Sequence, residues 1–125
     1  MEEVMWISKI ISLDEASSEA EVIITDGTYS LLAFDSFFNT SPRVKTIIEA
    51  VIAFMPYDVE VVYEQESDSI SKIDDSHFAH EVIGHIVDGS YCVEVGEMRI
   101  QVSDADGFPS SGRVRFKCRR FDVGD

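Results

Sequence analysis

Two hydrophobic periods alternate along this chain, and they predict different elements. Residues 4–13, VMWISKIISL, are crowded with β-branched and aromatic side chains and predict a strand. Residues 19–25 and 28–36 are two further apolar runs on either side of Asp26-Gly27. That dipeptide predicts a hairpin closed by a two-residue turn. The period then changes. Val44, Ile47, Ile48, Val51, Ile52 and Met55 fall at i, i+3, i+4, i+7, i+8 and i+11, one apolar stripe of an amphipathic helix over 42–55. Ser41 is a good N-cap, Pro42 suits the first helical position, and Pro56 ends the run. Period two returns at 57–65, where Tyr57, Val59, Val61 and Tyr63 face one way and Asp58, Glu60 and Glu64 the other. An acidic stretch, QESDSISKIDDS, carries no packing signal. Beyond it come a strand over 79–88, a second Asp-Gly pair at Asp88-Gly89, SYCVEV, a turn at Gly96-Glu97, MRIQVS, and the run RVRFKCRRFDV.

These elements amount to about eight strands and one helix in a single domain over 1–125. Short links between strands predict antiparallel neighbours. The expected fold is α+β, a mostly antiparallel curved sheet or small barrel with the helix packed across it. The order strand–strand–strand–helix–strand–strand resembles an OB-type barrel, by analogy alone, with three strands left over. ITDGTY at 24–29 recurs as IVDGSY at 86–91, but the flanking residues do not continue the match, so two hairpins with the same turn chemistry are expected.

Charge alters the picture of function more than of fold. Lys+Arg is 10 against Asp+Glu 24, a net charge of −14. Sixteen acids and four bases lie in residues 1–75, while eight acids and six bases lie in 76–125. So negative a chain repels phosphate backbones and anionic membrane surfaces, and suits a basic protein partner. Association of copies through an exposed sheet edge is a further expectation. No apolar run approaches the ~20 residues of a membrane helix. MEEVMWIS starts acidic rather than basic, unlike a secretory leader, which predicts a cytoplasmic protein. Cys92 and Cys118 are then reduced thiols.

Half the positive charge sits in one short run, GRVRFKCRRF, with Arg113, Arg115, Lys117, Arg119 and Arg120. On a strand, Arg113, Arg115 and Lys117 point one way and Val114, Phe116 and Cys118 the other. Keeping Phe121 and Val123 inside requires an irregularity at Arg119-Arg120. The basic row is expected to pair with carboxylates of neighbouring strands, Glu94 and Glu97 being nearest in sequence. Pairing across a subunit interface is the same expectation in another setting. The alternatives make Arg113, Arg115, Lys117, Arg119 and Arg120 binding residues, either for a partner protein or in a groove for single-stranded nucleic acid, which needs aromatics beside the charge.

All three histidines fall in HFAHEVIGH, with His77, His80, Glu81 and His85 as weak candidates for a metal. The spacing is one residue too long for the helical H-E-x-x-H of zinc peptidases. On a strand, His77, Glu81 and His85 share one face and His80 the other. His77 and His85 would stand about 26 Å apart at ~3.3 Å per residue, too far to share an ion. DADG at 104–107 lacks the remaining ligands of a calcium loop. No nucleophile or phosphate-loop motif is present. The expected function is a non-catalytic acidic protein-binding module, of inhibitor or immunity type toward a basic partner, without cofactor. The alternatives are an OB-like nucleic-acid binder using 113–120 and a metal-dependent enzyme using the histidines.

Overall fold

The structure is a computed structural model that describes residues 5–14, 19–35, 47–48, 50–73, 78–87, 90–103 and 107–124. Those residues form strands and turns, with no helix among them. The strands are β1 (Met5–Asp14), β2 (Glu19–Thr25), β3 (Ser30–Asp35), β4 (Ile47–Ile48), β5 (Ala50–Phe54), β6 (Tyr57–Val62), β7 (Ser69–Lys72), β8 (His80–Ile86), β9 (Cys92–Val95), β10 (Met98–Val102), β11 (Gly112–Cys118) and β12 (Arg120–Gly124). They make one mixed sheet in the order β4-β1-β2-β3-β12-β5-β10-β9-β8-β11-β6, with β7 beside β8.

The expected α+β fold with a helix over 42–55 is therefore corrected to an all-β one. Ile47–Ile48 is a short strand on β1, and Ala50–Phe54 is β5, between β12 and β10. Residues 42–46 and 49 lie outside the described residues. The physical reason lies in β5's central place. Val51 and Ala53 are fully buried, while Ile52 and Phe54 on the opposite face are half-buried. A strand covered on both faces loses the polar–apolar alternation that marks period two, and its continuous apolar run imitates a helical stripe. The eight-strand barrel and its OB analogy fall because the described residues form twelve strands, whose order runs from one end at β4 to another at β6. Nor are all neighbours antiparallel, since β10 runs parallel to β5 and β12 parallel to β3.

The hairpin at Asp26-Gly27 also differs. Thr25 pairs with Ser30, so the loop has four residues, and Gly27 but not Asp26 has positive φ. Asp26 Oδ1 accepts the N–H groups of Thr28 and Tyr29 at 2.8 and 2.7 Å, an Asx-type turn in place of type I′. Asp88-Gly89 lies outside the described residues. A two-residue turn stands at Gly96-Glu97, between the paired residues Val95 and Met98, with Gly96 at φ 59. Positive φ at the first central position only is the type II′ requirement.

That turn is held from two directions. Glu97 N–H donates to Asp26 Oδ2 at 3.0 Å, and Gly96 N–H donates to Asp68 Oδ2 at 2.8 Å. A Cβ on Gly96 would come within 2.7 Å of the Tyr29 ring, so only glycine meets both the φ and the space. Burial tends to raise the Asp26 pKa, but backbone donors, those of Tyr29, Thr28 and Glu97 and its own N–H, hold it below the ordinary value.

One face of the sheet curls around the core. Phe116, Phe121, Met5, Ile7, Ile24, Ile86, Met98 and Ile100 are its largest fully buried side chains. Where the curl brings β3 toward β7 and β8, a side chain spans the gap: Leu32 N–H donates to His80 Nε2 at 3.3 Å. No described helix is long and apolar enough to cross a membrane.

Candidate functional site

The basic run becomes β11, whose register separates its two faces. Arg113, Arg115 and Lys117 form the outer row, and Val114, Phe116 and Cys118 are fully buried on the inner one. Between β8 and β6, three transverse rows cross the outer face: His85–Arg113–Val62, Ile83–Arg115–Glu60 and Glu81–Lys117–Tyr57. The register slips between Arg115 and Lys117, where Asp58 adopts φ 50, so β6 carries a bulge there.

Each base of the outer row meets a carboxylate. Arg113 Nη2 donates to Asp68 Oδ1. Arg115 reaches Glu60 at 2.6 Å through Nη1 and Glu66 at 3.2 Å through Nη2. Lys117 Nζ lies 3.3 Å from Asp58 Oδ2. The pairs grade from enclosed to exposed. Arg113 is 11% exposed and Asp68 24%, whereas Lys117 and Asp58 are 36% and 65% exposed. The partners come from β6 and the turn after it, one strand away, instead of from Glu94 and Glu97. Glu94 instead faces Arg99 at 3.7 Å.

Arg119 and Arg120 part from the row. β11 ends at Cys118, Arg119 forms a bend, and β12 begins at Arg120 between different neighbours. The irregularity expected at this pair is thus a change of strand partners, and it returns Phe121 to full burial. The Arg119 guanidinium stands 5.6 Å from the Tyr57 ring centroid. Arg120 binds Asp122 through Nε at 2.6 Å and Nη2 at 3.1 Å, with the Phe34 and Phe54 rings 5.1 and 5.5 Å away. Aromatics do stand beside these two arginines, which the alternation along β11 alone did not indicate.

The histidine segment is strand β8. Glu81 and His85 lie on its outer face and His80 on the inner one, while His77 falls outside the described residues. His80 is 2% exposed. Its Nδ1 lies 2.8 Å from Phe78 O, and its Nε2 accepts from Leu32. The neutral Nδ1–H tautomer satisfies both contacts. Burial pushes its pKa down to about 4 against a weaker upward pull from the Phe78 carbonyl, and Lys72 adds a smaller downward push. The ring also packs on Phe121 at 4.8 Å. Among the described residues, no three His, Cys, Asp or Glu side chains gather as an ion site. The calcium-like 104–106 are outside them.

Both cysteines are free thiols. Burial, with help from Glu94, raises the Cys92 pKa, and burial pushes Cys118 up to about 12, so both favour the unreactive thiol form. Asp68 and Glu66 are the residues that the sequence pattern missed. They lie in a polar stretch whose only signal was its density of acids.

Comparison with protein-family models, curated proteins and solved structures finds no match for this chain.

Proposed function

We propose that the chain is a non-catalytic acidic module that binds a basic protein partner in the cytoplasm. One observation carries this reading: every base of the outer β11 row already has a carboxylate partner within the chain. Phosphates of a nucleic acid would have to displace those carboxylates, so the row has little free positive charge to offer. The surplus charge of the molecule is negative, and it favours a cationic surface. The histidines lend the metal-enzyme alternative little support, because His80 spends both ring nitrogens on backbone groups and faces away from Glu81 and His85.

Affinity capture from a native lysate tests this. The expected result is retention of a protein of high isoelectric point, released as salt rises. Retention of single-stranded oligonucleotides, lost in the double variant Arg115→Glu, Lys117→Glu, would overturn the reading.

A further inference from the structure

β6 ends the sheet: it pairs with β11 on one side and with no described strand on the other. Two of the most exposed large apolar side chains in the described structure stand on or just after it, Val61 at 65% and Tyr63 at 80%. Val61 is the cross-strand partner of the fully buried Val114, so it continues the core layer to a margin that nothing described covers. On the outer face the row Ile83–Arg115–Glu60 finishes on a carboxylate, and Asp58, next to Tyr57, reaches back to Lys117. Residues 57–68 hold five acids, Asp58, Glu60, Glu64, Glu66 and Asp68, against the three bases of the β11 row, so this margin keeps surplus negative charge.

We propose that the β6 edge is a strand-addition site for an extended basic segment of a partner protein, in which basic and apolar residues alternate. This rests on the acidic-module function and gives it a location. A strand laid along β6 would complete backbone hydrogen bonds, set its apolar residues on Val61 and Tyr63, and place its basic residues beside Asp58 and Glu60. A second copy fits badly. Self-pairing of β6 sets these carboxylates against their equivalents in two chains that each carry −14. The bulge at Asp58 and the charges blunt the edge toward itself, as edge strands commonly require.

The probe is a blocked octapeptide of alternating lysine and valine. An alternating glutamate–valine peptide and one with the same lysines and valines in two blocks serve as controls. Amide shift mapping on the unmodified protein should show changes confined to residues 57–63 and their β11 partners, with the alternating basic peptide alone. Val61→Lys and Tyr63→Lys replace exposed side chains, so the fold should persist by circular dichroism, and each should weaken the peptide by about tenfold. Equal binding of the blocked peptide, or shifts elsewhere, overturns strand addition. If the lysate partner is retained equally by parent and Val61→Lys, the acidic-module function stands and the edge site falls. If no basic partner or peptide binds at all, both fall. Self-association that Val61→Lys abolishes would assign the edge to a second copy and overturn this proposal.

Discussion

The two faces of β11 use alternate residues of one strand and are governed by different physics. Inside, Val114, Phe116 and Cys118 are fully buried, and Phe116 meets Phe108 edge-on at 5.4 Å. Outside, Arg113, Arg115 and Lys117 meet carboxylates in settings that grow wetter along the strand. Burial energy scales with apolar area and cannot be screened, whereas an exposed ion pair gains little over two solvated ions. The lesson concerns the most conspicuous motif of the sequence: the five bases are far easier to notice than Phe116 but hold the fold much less firmly. Their placement is better explained by the acids of residues 58–68, which would otherwise crowd one another at the sheet margin.

Four measurements test that contrast. The largest effect belongs to the inner face: Phe116→Ala should destabilise by about 3–5 kcal/mol, read by denaturant unfolding. A loss near that of the outer-row variants would show that the core layer is not where the structure places it.

Next is His80, on the inner face opposite Cys118. Its folded pKa of about 4 lies below the ordinary histidine value of 6.5, so the unfolded chain binds the extra proton first. Its contribution is fully present above pH 6.5 and is lost as pH falls toward 4, up to about 3 kcal/mol in all. The comparison is with His80→Gln, whose stability should fall less over that interval, since the carboxylates titrate alike in both. Parallel profiles would mean that His80 is not held neutral.

Arg113→Ala should cost about 1–3 kcal/mol, because it strips a mostly enclosed Asp68 of its charged donor. Asp68 also holds Gly96 N–H, so loosening should appear in amide exchange at Gly96. The smallest effect is expected from Arg115→Glu with Lys117→Glu, about 0.2–1 kcal/mol per pair, shrinking in high salt. If this pair of changes proved more damaging than Phe116→Ala, the contrast between the faces would be inverted.

Much of the architecture was legible wherever one face of a strand is wet. The runs predicted at 4–13, 19–25, 28–36 and 79–88 match β1, β2, β3 and β8 to within a residue or two at most ends, and the break at Arg119 was signalled by Phe121 falling out of phase. Legibility failed where that alternation disappears. β5 is covered on both faces and imitates a helix. β7 has one half-buried apolar residue, Ile70, in a polar setting, and only its pairing with β8 makes it a strand. The row of bases on β11 could be read, but not its partners, because strand order is not written in local pattern. β6 lies beside β11 although some fifty residues separate them in the chain, whereas Glu94 and Glu97 are nearer in sequence and do not reach the row.

The insertion of β12 between β3 and β5 has a kinetic consequence. Those two strands precede it by many dozens of residues, and neither can find its partner on that side until β12 is in place. Closing such long loops before any contact rewards them slows the search for the native state, so this chain belongs among the slow-folding topologies despite its modest size. Any state in which β12 has not docked leaves the margins of β3 and β5 open together, both rich in apolar residues, and open edges of that kind invite pairing with another chain. A net charge of −14 opposes such pairing between copies by mutual repulsion.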